Sequence, residues 1–226
     1  MKDTVIRLED VWKIYKMGEV EVPALQGVTL DVKKGEFLAV MGPSGSGKST
    51  CMNMIGALDI PTRGKIYLDK HDISKLDESD LAQIRGKKIG FIFQQFNLIH
   101  TLSALENVML PMLFQGIHKS ERVKRATRLL NGVDLGERIN HKPTELSGGQ
   151  QQRVAIARSL SNNPEVVLAD EPTGNLDTKT GGNVLDFLRK LHKDEGKTII
   201  MVTHDHNVAK KAQRVEILRD GKIVSR

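Results

Sequence analysis

The sequence predicts an α/β fold with a mostly parallel sheet, an N-terminal antiparallel β layer and an inserted helical subdomain. Three observations carry that reading. Short, largely apolar runs (Phe37–Met41, Val166–Ala169, Thr198–Val202) alternate with helical patterns, as strands buried on both faces do. The first 35 residues alternate instead, with Val5, Leu8, Val28, Leu30 and Val32 as the apolar members, which suits a half-buried antiparallel layer. Between residues 97 and 162 the pattern is helical throughout.

Taken in order, the run Phe37–Met41 leads into a Gly-rich turn and a helix from about Gly47 to Leu58. The longest apolar run, Val108 to Phe114, contains Pro111, which is expected to bend or break a helix there. Some of its side chains should then reach the surface. The densest basic stretch, Lys119 to Arg128, carries Val123, Ala126, Leu129 and Leu130 at helical spacing, so it reads as an amphipathic helix with a solvated basic face. Val215 to Val224 reads as a hairpin turning at Asp220-Gly221. The whole of 1–226 reads as one domain, with 1–96 and 163–226 forming a core and 97–162 the helical insert.

Composition excludes several classes. Apolar residues at 39% and charged residues at 27% fit neither a disordered polymer nor a membrane-embedded chain. The longest apolar run is far short of the roughly 20 residues a spanning helix needs. Met1-Lys2-Asp3-Thr4 lacks the apolar core of a leader, and a single cysteine, Cys51, excludes an internal disulfide framework. With 34 basic against 28 acidic residues the net charge is +6, yet aromatics are only 4% and do not interleave with the basic residues. Nucleic acid is therefore not an expected partner.

The chemistry starts at Gly42-Pro43-Ser44-Gly45-Ser46-Gly47-Lys48-Ser49-Thr50, which matches the phosphate-binding loop pattern between an apolar strand and a helix. Glycines let backbone N–H groups turn toward phosphate oxygens, and the helix N-terminus adds its positive end. Lys48 is expected to reach the terminal phosphates of a nucleotide, and the Ser49 hydroxyl to ligate Mg²⁺. A buried strand then ends in paired carboxylates, Asp170-Glu171. Asp170 is expected to hold the Mg²⁺ hydration shell, and Glu171 to polarise a water for in-line attack.

Leu146-Ser147-Gly148-Gly149-Gln150, followed by a helical run, is a second helix N-terminus with backbone donors to offer. Here the sequence resembles the ATP-binding-cassette family, whose signature is LSGGQ, over essentially the whole chain and with its motifs in the family's order. The resemblance implies a P-loop NTPase core that hydrolyses ATP with Mg²⁺. It also implies a homodimer in which Ser147, Gly148, Gly149 and Gln150 of one copy close on the ATP held by the other. Tyr15 matches the aromatic that stacks on adenine, and Gln94 the glutamine that touches Mg²⁺ and the attacking water. Asp177 ends Gly174-Asn175-Leu176-Asp177, which resembles the D-loop with Asn175 where many members carry Ala. His204 stands where the family has its switch histidine.

Within the family the chain is most similar to the lipoprotein-release and macrolide-export branch (LolD-like, MacB-like). The residues carrying this are Tyr15–Gly18, Met41–Thr50, Ile89–Leu98, Ala104–Val108 and Asp170–Asp177. The resemblance implies an energising subunit, cytoplasmic and peripheral on the inner face of the membrane through an integral-membrane permease. An alternative is the same engine driving signalling or a cell-division complex with no cargo. Chromosome and repair ATPases share the signature but insert a long coiled coil, and here Lys48 and Ser147 are only 99 residues apart. Ending at Arg226, the chain is expected to lack an added C-terminal regulatory domain. Cys51 reads as a small buried packer, His204 and His206 as too few for a metal site, and Trp12 as packing near or flanking the base.

Overall fold

The computed structural model describes residues 4–69 and 71–224. Met1–Asp3, Lys70, Ser225 and Arg226 lie outside them, and with them most of the opening tetrapeptide and the chain's last residue. The order begins β1 (Thr4–Met17), β2 (Val20–Lys33), β3 (Phe37–Met41), α1 (Lys48–Ile55), β4 (Arg63–Leu68) and β5 (His71–Asp72). It continues α2 (Glu78–Lys88), β6 (Ile89–Ile92), α3 (Ala104–Phe114), α4 (Lys119–Gly132) and α5 (Gly148–Ser159). It ends β7 (Val166–Asp170), α6 (Thr178–Glu195), β8 (Thr198–Thr203), α7 (His206–Ala209), β9 (Arg214–Arg219) and β10 (Lys222–Val224). The chain gathers into two compact units, residues 1–85 with 190–226, and residues 86–189.

In the first unit, β3 is buried at all five positions and runs parallel to both β8 and β9. An apolar strand with neighbours on both edges and cover on both faces is what a continuous Phe-Leu-Ala-Val-Met run requires. β9 returns antiparallel through β10, and its turn takes left-handed backbone at both Asp220 (φ 48°) and Gly221 (φ 74°). That pair of positive φ angles is the turn that Asp-Gly favours between antiparallel strands. A second, antiparallel sheet has the order β2-β1-β4-β5. β1 and β2 bury Leu8, Val11, Leu25 and Val32 completely, while Met17, Val20 and Val22 at the hairpin end are exposed.

In the second unit, β6 pairs parallel with β7 in the register Ile89 to Val166 and Ile92 to Ala169. Gly90 lets α5 come close, because a Cβ there would strike the Ser159 carbonyl oxygen. From residue 97 to 162 every regular element is helical. α3 starts with a capping box, Ser103 Oγ accepting from Glu106 N (3.2 Å) and Glu106 Oε2 from Ser103 N (2.8 Å). The Ser103 N–H, and then its hydroxyl, hold the Glu106 carboxyl below the usual carboxylate range.

The expected break at Pro111 does not occur: α3 runs through it to Phe114. Proline removes one N–H, whose partner would be the Asn107 carbonyl, and the helix ends three residues later, so only its last turn is affected. α3 buries Val108 and Met112, while Leu113 and Phe114 stand exposed, Phe114 at 76%. α4 buries Ala126 and Leu130 and exposes Lys119, Lys124 and Arg128, the amphipathic arrangement its spacing predicts. No helix among the described residues is long and apolar enough to cross a membrane.

Candidate functional site

The first unit carries the phosphate loop between β3 and α1. Gly45 (φ 77°) and Gly47 (φ 97°) hold backbone that L side chains rarely adopt. Space also excludes side chains, since a Cβ on Gly42 would strike the Leu218 carbonyl oxygen and one on Gly47 the Ala24 carbonyl oxygen. The β9–β10 turn braces the loop from behind, with Gly221 N–H donating to Ser46 O (3.0 Å) and Gln26 N–H to Gly221 O (2.8 Å). Nothing in the local sequence announces that brace, which joins residues far apart in the chain.

Two side chains in the loop ask for an anion. Lys48 is buried (8% exposed), and its ammonium donates to the Pro43 carbonyl at 2.7 Å with no carboxylate paired to it among the described residues. The Ser46 hydroxyl is buried and has no hydrogen-bond partner among the described residues. Burying a charge or a hydroxyl without full compensation is costly, and a bound phosphate would supply what both lack. α1 begins on Gly47, which offers no capping side chain, so its first N–H groups are left for a ligand. Pro43 and Ser44 are exposed on the loop, Ser49 is exposed in the first turn of α1, and Thr50 follows half-buried.

Tyr15 sits near the end of β1, 37% exposed, with its phenol donating to Asp59 Oδ2 at 3.2 Å. Trp12 takes a packing role, its indole N–H donating to Asp10 Oδ1 (3.1 Å) and its ring lying against Gly27. His204 is exposed just after β8, followed by Asp205, whose carboxylate caps α7 through Asn207 and Val208 N–H. Among the described residues no three His, Cys, Asp or Glu side chains gather to hold a metal ion. Cys51 is buried on α1, and burial pushes its thiol up to about 12, so it is an inert packing residue.

The second unit carries the carboxylates, Gln94 and the signature. Asp170 is the last residue of β7, and Glu171 follows in left-handed backbone (φ 44°), uncommon for a residue with a side chain. The turn is held by Gly174 N–H to Glu171 O (3.0 Å) and by the buried Gln152 of α5, whose amide donates to Pro172 O (2.8 Å). Gln94 follows β6 and is exposed. Asn175 Nδ2 donates to its carbonyl at 2.9 Å, and a Cβ on Gly174 would come within 2.8 Å of its side-chain nitrogen. Beyond it, Phe96 and Asn97 are also left-handed, and the Arg158 guanidinium binds both of their carbonyl oxygens. Burial lowers the Arg158 pKa, and those two carbonyls are what it meets. Gln152, Asn175 and Arg158 are supports that motif reading alone does not single out as such.

The signature stands at the start of α5, with Ser147 as N-cap. Its hydroxyl accepts from Gln150 N (3.3 Å) and the Gln150 side-chain oxygen accepts from Ser147 N (2.9 Å). Each of the two side chains is thus engaged with the other residue's backbone N–H, which leaves the backbone of Gly148 and Gly149 as what the helix end has to lend. A Cβ on Gly149 would meet Thr180 Cγ2 at 2.5 Å, so α6 fixes that glycine's neighbour. Asp177 caps α6, accepting from Lys179 N, Thr180 N and the Thr180 hydroxyl. The Thr180 hydroxyl leads in holding the Asp177 carboxyl below its ordinary range.

Residues 25–174 match the ABC transporter family. Among curated relatives, the uncharacterized ABC transporter ATP-binding protein MJ0796 of Methanocaldococcus jannaschii is 54% identical over 97% of this chain and 95% of its own. The macrolide export ATP-binding/permease protein MacB of Brucella melitensis biotype 1 is 50% identical over 98% of this chain, which spans only 34% of that protein. The solved dimeric structure of the MJ0796 cassette in a post-hydrolysis state with ADP and Pi superposes with a TM-score of 0.91. It is 52% identical and covers 97% of each chain. With a phosphate loop, a strand ending in two carboxylates and an LSGGQ helix all in place, this chain belongs to the ABC transporter family and is one of its ATP-binding, ATP-hydrolysing components.

Proposed function

We propose that the chain is the energising subunit of a membrane assembly, in which two copies close over two ATP molecules and hydrolysis reopens them. The observation that carries this reading is the phosphate loop itself, with a buried Lys48 ammonium and an unpartnered Ser46 hydroxyl in a turn that admits no side chain at Gly42 or Gly47. That loop suits the phosphates of a nucleotide. The dimeric state of the MJ0796 cassette supports the pairing of copies. The combined ATP-binding and permease name of MacB supports a membrane partner, and exposed Leu113 and Phe114 at the end of α3 are apolar surface such a partner could cover. The helical stretch 97–162 would serve as the signature-bearing subdomain, with 1–96 and 163–226 as the catalytic core.

Each residue has a role in that reading. Lys48 and the N–H groups of Gly45 to Thr50 bind phosphate oxygens and balance the charge that builds up as the terminal phosphate departs. Tyr15 stacks on the base. Glu171 orients the attacking water and accepts its proton; the left-handed turn holds its carboxylate in place, and strain of that kind gathers at working sites. Gln94 and His204 position the same water and the phosphate it attacks. Gly148 and Gly149 of the second copy add backbone donors, with Ser147 and Gln150 shaping their helix end, and Asp177 steadies the neighbouring α6.

Ser49, Gln94 and Asp170 would hold Mg²⁺. A hydroxyl, an amide oxygen and a carboxylate are the hard donors it prefers, and few protein ligands suit an ion that shares its shell with phosphates and water. When bound, Mg²⁺ supplies charge neutralisation on the phosphates. The test is Glu171→Gln. Turnover should fall about 10²–10⁴-fold, while ATP still binds and an ATP-dependent dimer accumulates in size-exclusion chromatography. Near-normal turnover would remove Glu171 from the base role.

A further inference from the structure

We propose that Asp59 and Lys13 are positioning residues for the nucleotide's base: together they lock the Tyr15 ring in place before ATP arrives. The proposal deepens, and rests on, the base-stacking reading of Tyr15. Lys13 and Tyr15 are two residues apart on β1, with a register irregularity against β2 between Lys13 and Ile14, and their side chains meet at the same carboxylate. The Asp59 carboxylate serves them both. Its Oδ1 accepts from Lys13 Nζ at 2.6 Å and from the Ile60 N–H at 2.8 Å, and its Oδ2 accepts from the Tyr15 hydroxyl at 3.2 Å. Lys13 Nζ makes a further bond to Ile60 O at 2.9 Å, and it lies 5.1 Å from the centroid of the Tyr15 ring, within cation–π range.

The Lys13–Asp59 pair is largely withdrawn from water, the two side chains being 13% and 29% exposed. It is therefore less screened than an ordinary surface pair. A phenol held at its oxygen and covered on one face by an ammonium has lost its freedom to turn in advance, and only its other face is left for a base. Ordering paid before binding is not charged to the ligand afterwards, which is how preorganisation raises affinity. Asp59 also stands four residues past the end of α1 (59 − 55), the helix whose first turn holds Lys48 and Ser49. The same carboxylate thus ties the aromatic platform to the segment that leaves the phosphate loop. A ligand spanning both ends, a nucleoside triphosphate, gains from that tie. A bare polyphosphate does not.

The experiment measures KM for ATP and competitive inhibition of the ATPase by inorganic tripolyphosphate, which has no base to stack. Tyr15→Ala should raise KM for ATP about tenfold, the loss of one base–aromatic stack. Asp59→Ala, and Tyr15→Phe as the conservative variant that keeps the ring but not the tether, should each raise it about threefold, the worth of a modest hydrogen bond. The losses should fall on KM more than on kcat, and the tripolyphosphate inhibition constant should stay put in all three. If Asp59→Ala weakens tripolyphosphate as much as ATP, Asp59 merely holds the end of α1 and the proposal is overturned. If Tyr15→Ala raises KM while Asp59→Ala and Tyr15→Phe do not, the lock is overturned and the stacking stands. If Tyr15→Ala leaves KM unchanged, the stacking reading itself fails and the lock with it.

Discussion

Two helix N-termini in this molecule have the same dipole and opposite finish. α1 begins on Gly47, which has no side chain to cap with, and the loop leading into it buries an ammonium and a hydroxyl without an anion to meet them. α5 begins on Ser147, which closes a reciprocal capping box with Gln150. One end is left open at a cost in stability, and the other completes itself. A helix end that is finished by its own side chains is stable without a ligand and keeps only backbone groups to lend. A helix end left unfinished has its donors ready for phosphate. On the proposed function, α1 would hold the nucleotide and α5 would be added to a nucleotide already held.

The largest effect that sharpens this contrast is expected at Lys48. Without ATP, Lys48→Ala should melt close to wild type, because among the described residues the ammonium bonds to a single loop carbonyl and pairs with no carboxylate. With ATP at about a hundred times its Kd, wild type should gain about 2.7 kcal/mol, or some 5–10 °C for a chain of this size. The variant should gain none of it. Full protection of the variant would mean that its ammonium does not serve the bound anion. A smaller effect of the opposite kind is expected at α5. Ser147→Ala should cost about 1 kcal/mol with no ATP present, because the cap it removes belongs to the folded protein alone. An unchanged melting temperature would break the distinction between the two ends.

The smallest effect is at Asp177. The Thr180 hydroxyl and the N–H groups at the start of α6 hold its carboxyl below the ordinary range, so the folded state favours the ionised form. The stability it lends is therefore in full force above the unfolded value near pH 4 and is lost as pH falls through the lowered one. Wild type and Asp177→Asn, compared in acid unfolding, should differ less and less below about pH 4. A gap that widens on acidification would contradict the cap.

The sequence was most informative where structure is local. The Phe37–Met41 strand, the loop after it and the Asp220-Gly221 turn are legible because an apolar run, a fixed glycine spacing and a two-residue turn each encode their own geometry. The amphipathic α4 is legible for the same reason. Pro111 does not end the helix, because its effect depends on position: three residues from a helix end a missing N–H breaks almost nothing, and the expected exposure of part of the run holds at Leu113 and Phe114. The short strands β4, β5 and β6 carry too little pattern to announce themselves. The supports of the site were the least legible. Gly221 on Ser46, Asp59 on Tyr15, Gln152 on Pro172 and Arg158 on Phe96 and Asn97 are all joined across long stretches of chain. A glutamine or arginine in a helix gives no local sign of which carbonyl it will reach.

The most direct test of the contrast between the two helix ends is a titration of ATP into Ser147→Arg, measured by calorimetry on the monomer at high dilution beside wild type. The arginine disturbs the finished end and leaves the unfinished one untouched. The account predicts a monomer Kd for ATP unchanged from wild type, together with loss of the ATP-dependent dimer and of turnover. A Kd for ATP weakened in the monomer itself would contradict it, because the signature helix would then be holding the nucleotide of its own chain.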